Sequence, residues 1–232
     1  MRALSQILLA GGLVLATAAA HAQQDYTARG MSVYAPKPVS GVRGPAAGTK
    51  GATTSAPVAA AAPTVASPKA EAIRQRAKAA LEEGLPRRLT VHNANTGESV
   101  SVVFWVGGEY DAWELARIGQ LLRDHREKET VAIDWRLVDL IWVLARLNGS
   151  ETVHVHSGYR SARTNTWLAS ASSGVAPDSL HISGKALDIS IPGIPAPSVA
   201  ALAAAMEWGG VGYYGAGGHV HVDVGPVRTW SH

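Results

Sequence analysis

The 232-residue chain contains no cysteine. It therefore carries no disulfide framework, Cys-ligated zinc ribbon, iron–sulfur cluster, thiol nucleophile or lipidated cysteine terminus. Charge is also scarce. Charged residues make up 17% and leave a net +3, too balanced for a dedicated nucleic-acid binder despite a pI near 9.3. There is no H-E-x-x-H helix and no G-x-S-x-G elbow, so the helix-borne zinc protease and serine hydrolase motifs are missing. No internal repeat is visible. What remains is 24 glycines, 12 prolines and nine histidines, five of the histidines between positions 154 and 221.

The N-terminus reads as targeting rather than fold. Arg2 supplies a positive start, residues 4–15 an apolar run broken by Gly11 and Gly12, and Ala20-His21-Ala22 a small-x-small cleavage site. Residues 1–22 are expected to be a secretory signal peptide cleaved after Ala22. The run is too short to span a bilayer, which takes about 20 apolar residues. No twin arginine precedes it, so general export to a periplasm is expected, with no stable membrane insertion after cleavage. Residues 23–68 are rich in Ala, Pro, Gly, Ser and Thr without helical or strand period, and are expected to be a disordered tether. Whether it gives reach or merely links stays open. Residues 69–86 are expected to be a helix and linker, and 87–232 the working domain.

Helical signals cover 70–83, with Gly84 as stop and Pro86 beyond. Strands are expected at 89–92 and 99–105, joined by Asn93-Ala94-Asn95-Thr96-Gly97. Asp111 and Glu114 have capping-box spacing, and Leu115, Ile118, Leu121 and Leu122 recur at helical intervals. A further helix follows Asp134, with Leu137, Leu140, Ile141 and Leu144 on its buried side and Asn148-Gly149 as its end. Trp113, Trp135 and Trp142 are expected in the core. Beyond them come a strand at 152–156, a helix at 161–172, a strand at 186–191, an Ala-rich helix at 198–208 and paired strands at 211–214 and 219–224. Without a regular βαβ rhythm, the class is α+β.

Two segments could carry chemistry. In Ser179-Leu180-His181-Ile182-Ser183-Gly184-Lys185-Ala186-Leu187-Asp188, His181 sits in a loop entering the strand that bears Asp188. A neutral imidazole beside a carboxylate suits zinc. In His219-Val220-His221-Val222-Asp223, strand alternation puts three polar groups on one side and both valines on the other. One imidazole can be a third ligand, and a neighbour a base or an orienting group. Three protein ligands with one open position is the pattern of catalytic zinc. His154 and His156 share another strand face and read as structural.

The run Ser179, His181, Gly184, Ala186, Asp188, followed by a later His, resembles the zinc peptidases that include D-Ala-D-Ala dipeptidases and carboxypeptidases, the hedgehog fold and, more distantly, lysostaphin-type enzymes. The chain is most similar to the YcbK (MepK)-like group of murein endopeptidases. That likeness rests on Ser157-Gly158-Tyr159-Arg160-Ser161, Asn165, Gly209-Gly210-Val211-Gly212-Tyr213-Tyr214, and Val220-His221-Val222-Asp223-Val224-Gly225-Pro226-Val227-Arg228 with Trp230. It spans about 87–230.

The resemblance implies a small, mainly antiparallel sheet with flanking helices, and one zinc ion held by His181, Asp188 and His221. It makes Arg160 the arginine that binds a stem-peptide carboxylate or the tetrahedral oxyanion. The substrate implied is peptidoglycan, cut at peptide cross-links or stem peptides. The alternatives are a carboxypeptidase that trims stems and a zinc-containing wall-binding module without catalysis. Oligomeric state is not legible. The dipeptidase branch has a Glu base three residues before the last ligand; here Gly218 stands there. An aromatic usually found two before that ligand is His219, and a Pro after Ser161 is Ala162. His219 and Asp223 are therefore the competing candidates for proton transfer, beside an idle His219.

Overall fold

The chain is described here by a computed structural model covering residues 67–172 and 174–231. The expected signal peptide and nearly all of the expected tether lie outside the described residues. Helix α1 (Pro68–Glu82) opens on a proline, whose missing N–H costs nothing in a first turn. Strands β1 (Arg87–Asn93) and β2 (Ser99–Val106) form the expected hairpin, and β3 (Glu109–Tyr110) extends it. Asp111 caps α2 (Ala112–Leu121) by accepting from the Trp113 and Glu114 N–H groups at 2.9 and 3.1 Å. Asp134 caps α3 (Trp135–Leu147) in the same way through Arg136. There follow β4 (Thr152–Ser157), α4 (Ala162–Ala171), β5 (Ala186–Ser190), α5 (Ala196–Met206), β6 (Gly210–Tyr214), β7 (His219–Asp223) and β8 (Arg228–Ser231).

These strands form one sheet in the order β3-β2-β1-β4-β5-β7-β6-β8. Pairs β1–β4 and β6–β8 are parallel, and the other five are antiparallel. This corrects the expected small, mainly antiparallel sheet: the sheet is eight-stranded and mixed. The difference has two causes. The crossover through α2 and α3 returns the chain parallel to β1, and the polar segment that becomes β8 has no apolar alternation to announce it.

Alternation sorts the two faces of the sheet. Leu89, Val91, Val153, Val155, Leu187, Ile189, Val220 and Val222 are buried in one core with α1, α3 and α5. Helix α3 is buried on all sides from Leu137 to Ala145, not along one stripe, because both other helices and the sheet cover it. Its Asp139 is compensated by Arg87 at 2.6 Å and by the Tyr110 hydroxyl at 2.5 Å. Of the three tryptophans expected inside, only Trp142 is buried; Trp113 and Trp135 are 46% and 48% exposed, at helix starts where the indole covers rather than enters the core. The opposite face of the sheet is polar and carries Asp188, Ser190, His92, His154, His156, His219, His221 and Asp223.

Candidate metal centre

Antiparallel pairing of β5 and β7 sets Asp188 opposite His221, so a carboxylate and an imidazole leave adjacent strands on the polar face. His181 reaches them from a 3₁₀ turn, Leu180–Ser183, rather than from an open loop. The Ser179 hydroxyl accepts from the His181 N–H at the start of that turn. Gly184 closes it at φ +66°, where a Cβ would stand 2.8 Å from the Ala132 carbonyl and 2.9 Å from Val131. Only glycine satisfies both the backbone and the space.

The three side chains converge, with one ligand atom from each all within 4.8 Å of one another. His221 Nδ1 lies 3.0 Å from Asp188 Oδ1 and 3.2 Å from His181 Nε2, and the third edge is 3.5 Å. Tetrahedral ligands at about 2.0–2.1 Å from a zinc ion stand about 3.3 Å apart, so these separations already fit one. The proton positions fit as well. His181 Nδ1 donates to the Gly158 carbonyl at 2.7 Å, and His221 Nε2 donates to Asp223 Oδ2 at 3.0 Å. Neutral rings held this way turn two lone pairs and a carboxylate oxygen on one point, an arrangement that calls for a cation.

Electrostatics agree with that geometry. Burial pushes the His181 imidazole down against the pull of Asp188, so the ring stays neutral. Asp188 is held well below the usual carboxylate range: burial opposes this, and the two imidazoles outweigh it. Burial would also lower His221, but its bonds to Asp188 and Asp223 raise it.

Arg160 lies beside the cluster. Its Nη2 donates to Asp188 Oδ2 at 2.8 Å and its Nε to the Ser157 hydroxyl at 2.9 Å. The carboxylate thus offers one oxygen to the cluster and the other to arginine. The guanidinium retains 15% exposure. Asp223 is completely buried and accepts from Gly210 and Gly225 N–H, from Arg228 and from His221. Those bonds, outweighing burial, hold it well below the usual range. It orients His221 and has no face toward solvent.

His219 is half-buried, with Nδ1 3.0 Å from the Gly217 carbonyl. The carbonyl requires a proton on Nδ1, which leaves the Nε2 lone pair available. His154 and His156 lie on the same polar face and outside the ligand cluster. Three further side chains support the cluster. Asp124, in a polar loop, accepts from the Ser161 N–H at 2.8 Å and ties down the chain just after Arg160. Arg228 holds Asp223 at 2.6 Å. The Trp230 ring packs 5.1 Å from that of His221. Arg228 and Trp230 stand in the motif quoted from the sequence, which does not name their partners, and Asp124 stands in none.

Comparison with known proteins identifies the family. A family model described as peptidoglycan L,D-endopeptidase MepK matches residues 82–230. The chain is 41% identical over 153 residues to the peptidoglycan L,D-endopeptidase MepK of Escherichia coli strain K12, covering 66% of this chain and 84% of that protein. It has the same identity and coverage to its counterpart in Shigella flexneri. It is 40% identical over 148 residues to the probable peptidoglycan L,D-endopeptidase MepK of Haemophilus influenzae, covering 63% of this chain and 80% of that protein. The match runs from the end of α1 through β8 and includes every residue of the converging cluster, and the chain belongs to the peptidoglycan L,D-endopeptidase MepK family.

Proposed function

We propose that this chain is a zinc-dependent peptidoglycan L,D-endopeptidase, an exported hydrolase that cuts amide bonds in the peptide cross-links of the cell wall. The observation that carries the reading is the convergence of His181, Asp188 and His221, with lone pairs inward, in a chain of this family. His181 Nε2, His221 Nδ1 and Asp188 Oδ1 would hold the ion. When bound, zinc supplies Lewis acidity toward the scissile carbonyl and lowers the pKa of water to about 7.

The chain's own residues do the rest. Gly158 and Asp223 fix the two ligand tautomers. His219 Nε2 accepts the proton of the attacking water and returns it to the leaving amine. That assignment prefers His219 to Asp223, whose oxygens are already engaged. Arg160 steadies Asp188 and turns its remaining donors to a substrate carboxylate or to the developing oxyanion. Residues 1–22 act as the export signal, and 23–68 as the tether between export and catalysis.

The test is digestion of intact sacculi by the purified, zinc-loaded chain, with released fragments identified by mass spectrometry and His181→Ala as control. New cross-link ends that disappear in the variant are expected. Loss of only terminal D-Ala would make it a carboxypeptidase. Stoichiometric zinc without any released fragment would support the wall-binding module that Gly218, in the place of a Glu base, also suggests.

A further inference from the structure

The polar face of the sheet continues past the ligand cluster as a row of imidazoles. His219 on β7 stacks on His156 of β4, with centroids 5.3 Å apart and rings 23° from parallel. His156 Nε2 lies 2.8 Å from the Ser190 hydroxyl. His154 sits opposite Ser190 on one side and His92 of β1 on the other. The His154 and His92 rings are 4.8 Å apart. All four histidines are half-buried. Only His219 has a task in the hydrolysis.

Their chemistry is that of a hydrogen-bonding floor. Burial, and after it the neighbouring imidazoles, push His154 and His156 down, so both are neutral at neutral pH. A neutral imidazole donates at one nitrogen and accepts at the other, as an amide does. The row from His219 to His92 crosses from β7 over β5 and β4 to β1, three strand spacings, or about 14 Å. That is the length of about four residues of extended peptide. It also begins one strand step, His221 to His219, from the atoms that would hold the metal.

We propose that the row running from His219 through His156 and His154 to His92 is a subsite that holds one peptide strand of the cross-link in extended form, on one side of the scissile bond, with the imidazoles of His156, His154 and His92 pairing its amides. The inference rests on the hydrolytic reading above. Peptide is favoured over glycan by continuity, since whatever adjoins the scissile amide is peptide. The surface supports this too, because sugar rings stack on broad aromatic faces and the described exposed tryptophans, Trp113, Trp135 and Trp167, lie on the helices rather than on the row.

The full chain with labelled histidines would be titrated with an uncross-linked stem tetrapeptide and, separately, with glycan strands stripped of peptide. The tetrapeptide is expected to shift the Cε1–H signals of His92 and His154 along one saturable curve. The double variant His92→Ala/His154→Ala should weaken its binding by about three- to tenfold. His154→Gln, which keeps a donor and an acceptor, should lose less than His154→Ala, and unchanged melting curves should show that the variants are folded. No saturable shift, equal affinity in the double variant, or shifts caused by stripped glycan alone would each overturn the subsite. Cleavage of sacculi is scored independently, so an inactive chain that still binds peptide along the row retires the hydrolytic reading and not the subsite.

Discussion

His221 Nε2 lies 3.0 Å from Oδ2 of Asp223, and Asp223 is itself completely buried and gripped by Arg228 at 2.6 Å. The carboxylate would therefore act on a bound metal through His221. It fixes the tautomer that leaves Nδ1 bare and makes that nitrogen a better donor. Asp223→Asn is expected to weaken zinc binding by about 10- to 100-fold, the usual cost of losing such a partner. Competition against a chelator of known affinity measures this. An unchanged zinc affinity would mean that His221 needs no help from Asp223.

His219 should separate from the ligands in a different experiment. Its Nδ1 is committed to the Gly217 carbonyl, so Nε2 is the free base. His219→Ala should keep stoichiometric zinc, since the ring belongs to no ligand cluster. Its kcat should fall by about 10²- to 10⁴-fold, the range for a lost general base. Metal analysis and turnover of one preparation decide the matter. Turnover within a few-fold of the parent would return His219 to an idle role.

The grouping of His181, Asp188 and His221 was legible through the family motif that contains all three, and the structure brings them together. A turn motif delivers His181 a few residues before the strand of Asp188, and alternation puts His221 on the polar face of β7, but the β5–β7 pairing that sets it opposite Asp188 is not local. The helix caps at Asp111 and Asp134 were legible because their signals are local. What the sequence concealed is long-range. The role of Asp124 depends on meeting the Ser161 N–H, 37 positions away. Periodicity marks the stripe of α3 that faces a core, and it is silent on how many layers cover the helix. Strand β8 pairs parallel to β6 through a polar segment, so no hydrophobic pattern points to it. The exposure of Trp113 and Trp135 is a packing outcome that residue type alone does not determine.

Gly212 is expected to be as sensitive as a ligand. It pairs with His221 across β6 and β7 and with Trp230 across β6 and β8. A Cβ at this position would stand 2.5 Å from the Trp230 ring. Gly212→Ala must push the indole away, and the ring of His221 is 5.1 Å from it. Destabilisation of about 1–3 kcal/mol, typical of overpacking, should appear in denaturant unfolding. Zinc affinity should fall with it, and the double variant Gly212→Ala/Trp230→Ala should recover both. If removing the indole restores neither, the clash is not what disturbs the site.

Asp124 gives a pH dependence whose sign follows from its partners. Burial would raise its carboxyl, but hydrogen bonds from the Ser161 segment and from Glu127 outweigh that and hold it down to about 2. The folded value lies below the ordinary 3.8, so the group adds stability at higher pH and loses it as the pH falls from about 4 through 2. The difference corresponds to about 2 kcal/mol. Asp124→Asn should therefore melt about 5 °C below the parent at pH 7. Its melting temperature should also drop less steeply between pH 5 and pH 2, since the variant has no carboxyl to protonate. Because Asp124 anchors the backbone immediately after Arg160, catalytic efficiency on sacculi should fall in the same variant at neutral pH. Parallel acid limbs for parent and variant would show that this carboxylate stays protonation-neutral to the fold, and would assign the acid sensitivity to other groups.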